Sequence, residues 1–187
     1  MNQVTEMLRL ATGASEGAAI ARLSGLFEIM SGEKGFRRAE VLRRIDEPDV
    51  LLVLHAWDRI EDWQAFQSSE AKTAFSAGRP ASLYTFLPCG MNWRLEAGDS
   101  ERPDGAFLRR EVTREPARPR FGPDIVASAT FSYQDDEPSL AGATLRLTRL
   151  GSAPSLPQVA GALVLADEVY EPVYARTPVP EQTEAAR

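Results

Sequence analysis

The sequence is short of the residues on which most metal and thiol chemistry rests. Its 187 residues include one cysteine, Cys89, and one histidine, His55. One cysteine excludes an internal disulfide and a cysteine-based zinc cluster. One histidine excludes a multi-histidine metal site, so no metal is expected. Glycine-rich nucleotide loops, a Gly-x-Ser-x-Gly elbow and a Cys-x-x-Cys pair are all missing, and any catalytic dyad or triad would have to use His55. No apolar run is long enough to span a bilayer. The first eleven residues carry Glu6 and Arg9 within their apolar stretch, unlike a secretory leader, so a cytoplasmic location is expected. Lysine is nearly absent, with Lys34 and Lys72 alone among 21 basic residues. The 27 acidic residues leave a net charge of −6, with no basic stripe to attract nucleic acid or an anionic membrane.

What is present is ordinary globular composition, 43% hydrophobic and 26% charged, enough for one domain or two small ones. Val4 to Ala11 alternates as a strand, with Val4, Glu6 and Leu8 opposite Thr5, Met7 and Arg9. After a turn at 12–15, with Ser15 as N-cap, Glu16 to Met30 carries Ile20, Leu23, Phe27 and Met30 at helical spacing. Phe36 to Ile45 and Val50 to Trp57 read as two strands joined by a turn at Asp46-Glu47-Pro48-Asp49. Asp58, with Glu61 three residues on, predicts a capped helix, broken at Ser68-Ser69 and resumed from Glu70 to Phe75. Ser82 to Leu95 reads as one long strand bent at Pro88 and Gly90.

The order β-α-β-β-α-β predicts an α+β fold, a ferredoxin-like unit over residues 1–96. Two helices cover one face of its sheet, and the other face needs a cover. Residues 97–105 read as a linker. Residues 106–176 form a β-rich second half, with strands expected at Ala106–Thr113, Ile125–Tyr133, Ala143–Leu150 and Ala162–Tyr170. Leu156 to Leu163 is its one helix candidate, and 177–187 reads as a loose tail. This half is a candidate degenerate copy of the first. The bare face would then be covered within the chain, as a pseudo-dimer, or by a second copy in a homodimer.

The run from Gly35 to Phe75 resembles the antibiotic biosynthesis monooxygenases, a family of dimeric α/β-barrel proteins. The resemblance rests on Gly35-Phe36 opening a strand, the hairpin at Glu47-Pro48-Asp49, and the strand ending in Trp57. It continues through the acidic start at Asp58–Glu61 and the break at Ser68-Ser69. It covers about residues 4 to 95. It implies cofactor-free chemistry, in which a substrate is deprotonated to a carbanion that reacts with oxygen directly. The quinone-forming members place an Asn four residues before the strand Trp, where this chain has Val53. Their helix aromatic matches Trp63. The haem-degrading pattern is absent: its His position falls near Ser76, its helix Trp position holds Phe66, and the first strand has no Asn.

His55 stands two residues before Trp57, so the two share a strand face. A reference pKa near 6.5 suits His55 to proton transfer near neutrality and makes it the candidate catalytic residue. The alternative is a histidine hydrogen-bonded within the sheet or an interface. Trp57 and Trp63 are candidate walls for a flat aromatic substrate, with Phe27, Met7, Tyr84 and Asn92 completing the candidate substrate-binding set. Trp57, Trp63, Met7 and Phe27 are also readable as plain core, while Tyr84 and Asn92 are polar groups of the fourth strand, and Asn92 is a candidate replacement for the missing family Asn. Arg9 and Arg43 are candidate partners for an anion. Cys89 reads as an inert buried thiol. The expected function is a cofactor-independent monooxygenase acting on a polycyclic aromatic small molecule of polyketide or other natural-product biosynthesis. A cyclase or isomerase using the same His55, and a non-catalytic binding or assembly protein, are the alternatives.

Overall fold

The strand Val50–Trp57, buried along its whole length, and the strand Val4–Ala11, largely so, carry apolar side chains on both faces, so both sides of the sheet must be covered. In the computed structural model, residues 3–80, 82–89, 91–99, 105–114, 122–135, 138–152, 154 and 164–177 are described. Their strands are β1 (Val4–Ala11), β2 (Phe36–Arg44), β3 (Val50–Trp57), β4 (Thr85–Leu87), β5 (Asn92–Gly98), β6 (Phe107–Thr113), β7 (Ile125–Tyr133), β8 (Thr144–Leu150) and β9 (Val164–Arg176). The helices are α1 (Glu16–Met30), α2 (Ile60–Gln67) and α3 (Glu70–Ala77). The first half is thus the expected ferredoxin-like α+β unit.

The strands pair in the order β3-β2-β9-β6-β8-β7-β5-β1, and β1 pairs again with β3, closing an eight-stranded barrel. Every pairing is antiparallel. The face of the first sheet turned away from its helices is therefore covered by the chain's own second half. The two seams are β2 with β9 and β5 with β7. Each carries a register shift, between Val41 and Leu42 at one and between Leu95 and Ala97 at the other. Such bulges bend a sheet and let it close. Within each half the strand order is the same. Counting β4 and β5 together, β5-β1-β3-β2 and β9-β6-β8-β7 both read fourth, first, third, second.

Two apolar layers result. Met7, Leu42, Leu52, Leu54, Trp93 and Leu95 point into the barrel, where they meet Leu108, Phe131, Leu145 and Tyr170 of the second half. Val4, Leu10, Val41, Leu51, Val53 and Trp57 point outward, beneath Leu23, Phe27 and Met30 of α1 and Phe66 of α2.

Several local expectations are corrected. The long fourth strand is two strands, because Pro88 cannot donate to the ladder; β4 pairs with Arg9–Ala11 and β5 with Val4–Glu6, on the same edge of β1. Tyr84 precedes both strands. Asp58 does not cap α2: Arg59 is the N-cap residue and makes no side-chain cap bond, while Asp58 pairs with Arg37 at 2.5 Å. The cap lies one helix later, where the Ser69 hydroxyl accepts from the Lys72 backbone N–H at 3.1 Å. Ala97 and Gly98 belong to β5 rather than to a linker. The last strand does not stop at Tyr170 but runs to Arg176, because Pro172 sits at the bulge where the ladder can do without an N–H. The helix candidate at 156–163 and the tail from 178 on lie outside the described residues.

Candidate functional site

β3 is buried along its whole length, and its odd-numbered residues turn toward the helices. His55 therefore lies between sheet and helices, on the same face as Trp57. In register beside it on β1 is Glu6, and beside Glu6 on β5 is Asn92. Three polar side chains thus stand side by side across three strands, each about 5 Å from the next backbone. His55 Nδ1 and Glu6 Oε2 are 2.9 Å apart, and both residues are almost fully buried. Gln67 of α2 donates to the same carboxylate at 3.3 Å. The edge of the Phe27 ring meets the imidazole, with centroids 5.4 Å apart.

Burial raises the Glu6 carboxyl, but the hydrogen bond and charge of His55 more than offset this and hold it below its ordinary value of 4.5. An ionised carboxylate only accepts, so Nδ1 carries the shared proton. Nε2 is buried without a hydrogen-bond partner.

A cavity of about 400 Å³ opens between α2 and the β1–β5 edge, lined by Val4, Ile60, Trp63, Asn92, Arg94 and Asp135 among others. The Asn92 side chain donates to Asp135 at 2.6 Å and its backbone N–H does so at 2.8 Å, while Asn92 Oδ1 is buried and unpaired. The Trp63 indole stands between this cavity and Glu6, close to the carboxylate but short of hydrogen-bond geometry.

The structure thus brings Trp63 and Asn92 to one cavity, with His55 behind them, in contact with Glu6 rather than lining the space. Trp57 stacks on Phe66 at 5.3 Å and meets the Phe36 ring edge-on at 5.4 Å, with no exposed surface, as a core anchor. Phe27 packs in the same layer. Tyr84 is buried near the Arg79 guanidinium, 5.0 Å from its ring. Met7 lies on the other side of the sheet, inside the barrel, because its position on β1 is odd where Glu6 is even. It shares no cavity with His55. Arg43 is paired with Glu16 and Glu171. Burial pushes the Cys89 thiol up, away from reactivity.

Glu6, Gln67 and Asp135 are the members that sequence reading missed. Glu6 had a signal: a carboxylate on an otherwise apolar strand face between Val4 and Leu8. Asp135 had none, because only barrel closure brings the end of β7 to β5. Among the described residues no group of three or more His, Cys, Asp or Glu is placed to hold a metal.

The helix-covered sheet is the arrangement of a ferredoxin-like α+β domain. Residues 6–78 match the family described as antibiotic biosynthesis monooxygenase, the family that the run from Gly35 to Phe75 resembles. Solved structures share the whole fold. An anthrone oxidase-like protein is 14% identical, with a TM-score of 0.61, over 100% of this chain and 98% of that one. A provisionally assigned monooxygenase from Lactobacillus acidophilus NCFM is 7% identical, with a TM-score of 0.60, over 95% and 97% of the two chains. Another, from Fusobacterium nucleatum subsp. nucleatum ATCC 25586, is 6% identical, with a TM-score of 0.59, over 94% of each. At these identities the likeness is one of fold, and it extends to the second half. No curated protein sequence matches the chain.

Proposed function

We propose that this protein is a cofactor-independent monooxygenase of natural-product biosynthesis. Its substrate is a polycyclic aromatic molecule with an acidic ring carbon, seated in the cavity against Trp63 and Asn92. The His55–Glu6 pair is the acid/base group behind it, and the second half, a degenerate copy of the first, takes the place of a partner subunit. The observation that supports this most is the in-register row His55–Glu6–Asn92, which joins a buried imidazole–carboxylate pair to the edge of a 400 Å³ cavity.

The reaction needs a proton removed from a ring CH₂ to leave a carbanion. Oxygen adds to that carbon as a hydroperoxide, which loses water to give the ketone, so one oxygen atom enters product and the other leaves as water. In its unprotonated form His55 is suited to receive that proton by way of the Glu6 carboxylate, which stands between it and the cavity edge at Asn92, because the imidazolium formed is stabilised by that carboxylate. The Trp63 indole offers the ring a flat apolar wall.

Val53 stands where quinone-forming relatives carry Asn, and this favours a second reading, an aldol-type cyclase using the same pair. Oxygen uptake with an anthrone separates the two. The oxygenase reading expects uptake matched by quinone, and His55→Ala lowers it by about 10²-fold or more while the melting curve remains cooperative. Product without uptake moves the assignment to the cyclase. Unchanged turnover in His55→Ala removes His55 from the mechanism.

A further inference from the structure

The barrel interior, on the opposite side of the sheet from His55, sets two guanidiniums on one buried carboxylate at one mouth. Arg9 on β1 and Arg110 on β6 reach in from opposite walls of the ring and meet on Glu168 of β9, at 2.9 and 2.7 Å. The same carboxylate also accepts from Tyr170 Oη at 2.8 Å and from Arg44 at 3.3 Å. Arg44 has carboxylates of its own in Asp46 and Glu47. Three guanidiniums and three carboxylates thus meet in one network, but Asp46 and Glu47 pair with Arg44 at the surface, so Arg9 and Arg110 share the buried Glu168, whose two oxygens each accept from two donors.

The other contacts of the two arginines bring no negative charge. Arg9 donates to the Pro88 carbonyl at 3.3 Å, and its Nε has no partner. Arg110, 3% exposed, donates to the Cys89 carbonyl at 3.1 Å and lies 3.0 Å from the Met7 sulfur. Buried guanidiniums that share a single carboxylate keep donor capacity for a further anion. Between these arginines a recess of about 150 Å³ opens at the barrel mouth, walled by Pro88, Val112, Leu140 and Leu165.

We propose that this recess is a second ligand site that binds a small organic monocarboxylate, held by Arg9 and Arg110 with its short hydrocarbon part against Val112, Leu140 and Leu165. A bound carboxylate there would lie directly against the two guanidiniums that share Glu168. A planar carboxylate matches the guanidinium fork better than a compact, strongly hydrated ion does. The volume is worth about five water molecules, which suits a chain of a few carbons and excludes a polycyclic ring system. The apolar walls disfavour inorganic phosphate. This site stands independently of the function proposed for the His55 side.

Titration calorimetry of the full chain with butyrate tests it, at fixed ionic strength, with butyramide and inorganic phosphate as comparison probes. Saturable one-to-one binding of butyrate is expected, none of butyramide, and phosphate binding weaker by about tenfold or more. Arg9→Gln lowers butyrate affinity by about tenfold or more. Because that variant also breaks an ion pair, Leu165→Trp serves beside it: Leu165 is 38% exposed at the rim, and the larger ring fills the recess with every ion pair intact. Absence of saturable butyrate binding, affinity unchanged in Leu165→Trp, or phosphate binding as tightly as butyrate would each overturn the proposal.

Discussion

At the scale of single residues, Glu6 is the side chain on which the candidate site depends. Its carboxyl lies below its ordinary 4.5 in the folded protein. A depressed carboxyl contributes stability that is present above the unfolded value and is lost as pH falls through the folded one. Urea unfolding should therefore show stability declining below about pH 4.5, with Glu6→Gln flattening that decline. At pH 7 the same variant should cost roughly 1–3 kcal/mol, since the buried imidazole loses a charged partner. A Glu6→Gln protein with the parent's acid profile would show that the pair does not titrate as described. Trp57 makes a different prediction. It is wholly buried between Phe36 and Phe66, so Trp57→Ala should cost about 3–5 kcal/mol in the same assay.

At the scale of elements, the barrel closes where β5 meets β7, and a glycine makes that seam possible. Gly98 has φ +95°, and a Cβ there would collide with the Ser128 carbonyl and approach Ala129 Cα to 2.8 Å. Gly98→Ala should lower stability by about 2 kcal/mol or more, from backbone strain and displacement of the seam. Differential scanning calorimetry checks this, and an unchanged melting temperature would mean that the seam is more pliable than its geometry implies. The helices follow local chemistry. α1 was readable to the residue, because Leu23, Phe27 and Met30 recur at helical spacing and Ser31 ends it. The start of α2 was misread because Asp58 has a stronger attraction to Arg37 across the strand end than to the helix N–H groups.

At the scale of the whole molecule, the second half supplies the opposite wall of the barrel. Met7, Leu42, Leu52, Leu54 and Trp93 are buried only because β6 to β9 stand opposite. Residues 1–96 expressed alone should therefore expose a broad apolar sheet face and form dimers or larger species on size-exclusion chromatography. A folded, monomeric 1–96 would contradict that account. Charge is also organised at this scale. Glu168, Arg9 and Arg110 come from three strands far apart in sequence, and Glu40 with Arg149 forms a second buried pair between the halves.

The sequence by itself determined what is local. Period-two alternation placed β1, an apolar run placed β3, and a spacing of two put His55 and Trp57 on one face, because a strand side chain's direction depends only on its parity. The Gly35 to Phe75 run marked the domain now matched over residues 6–78. What only the tertiary structure decided is what depends on strands meeting. Which of the candidate residues share a space, that Met7 and His55 lie on opposite sides of the sheet, and that Glu6 links His55 to Asn92 all follow from register. That one chain covers its own sheet follows from pairings more than 100 residues apart, such as Arg43 with Glu171. Parity can be read from neighbours along the chain, whereas register and closure are set by packing between segments whose spacing in sequence carries no trace of it.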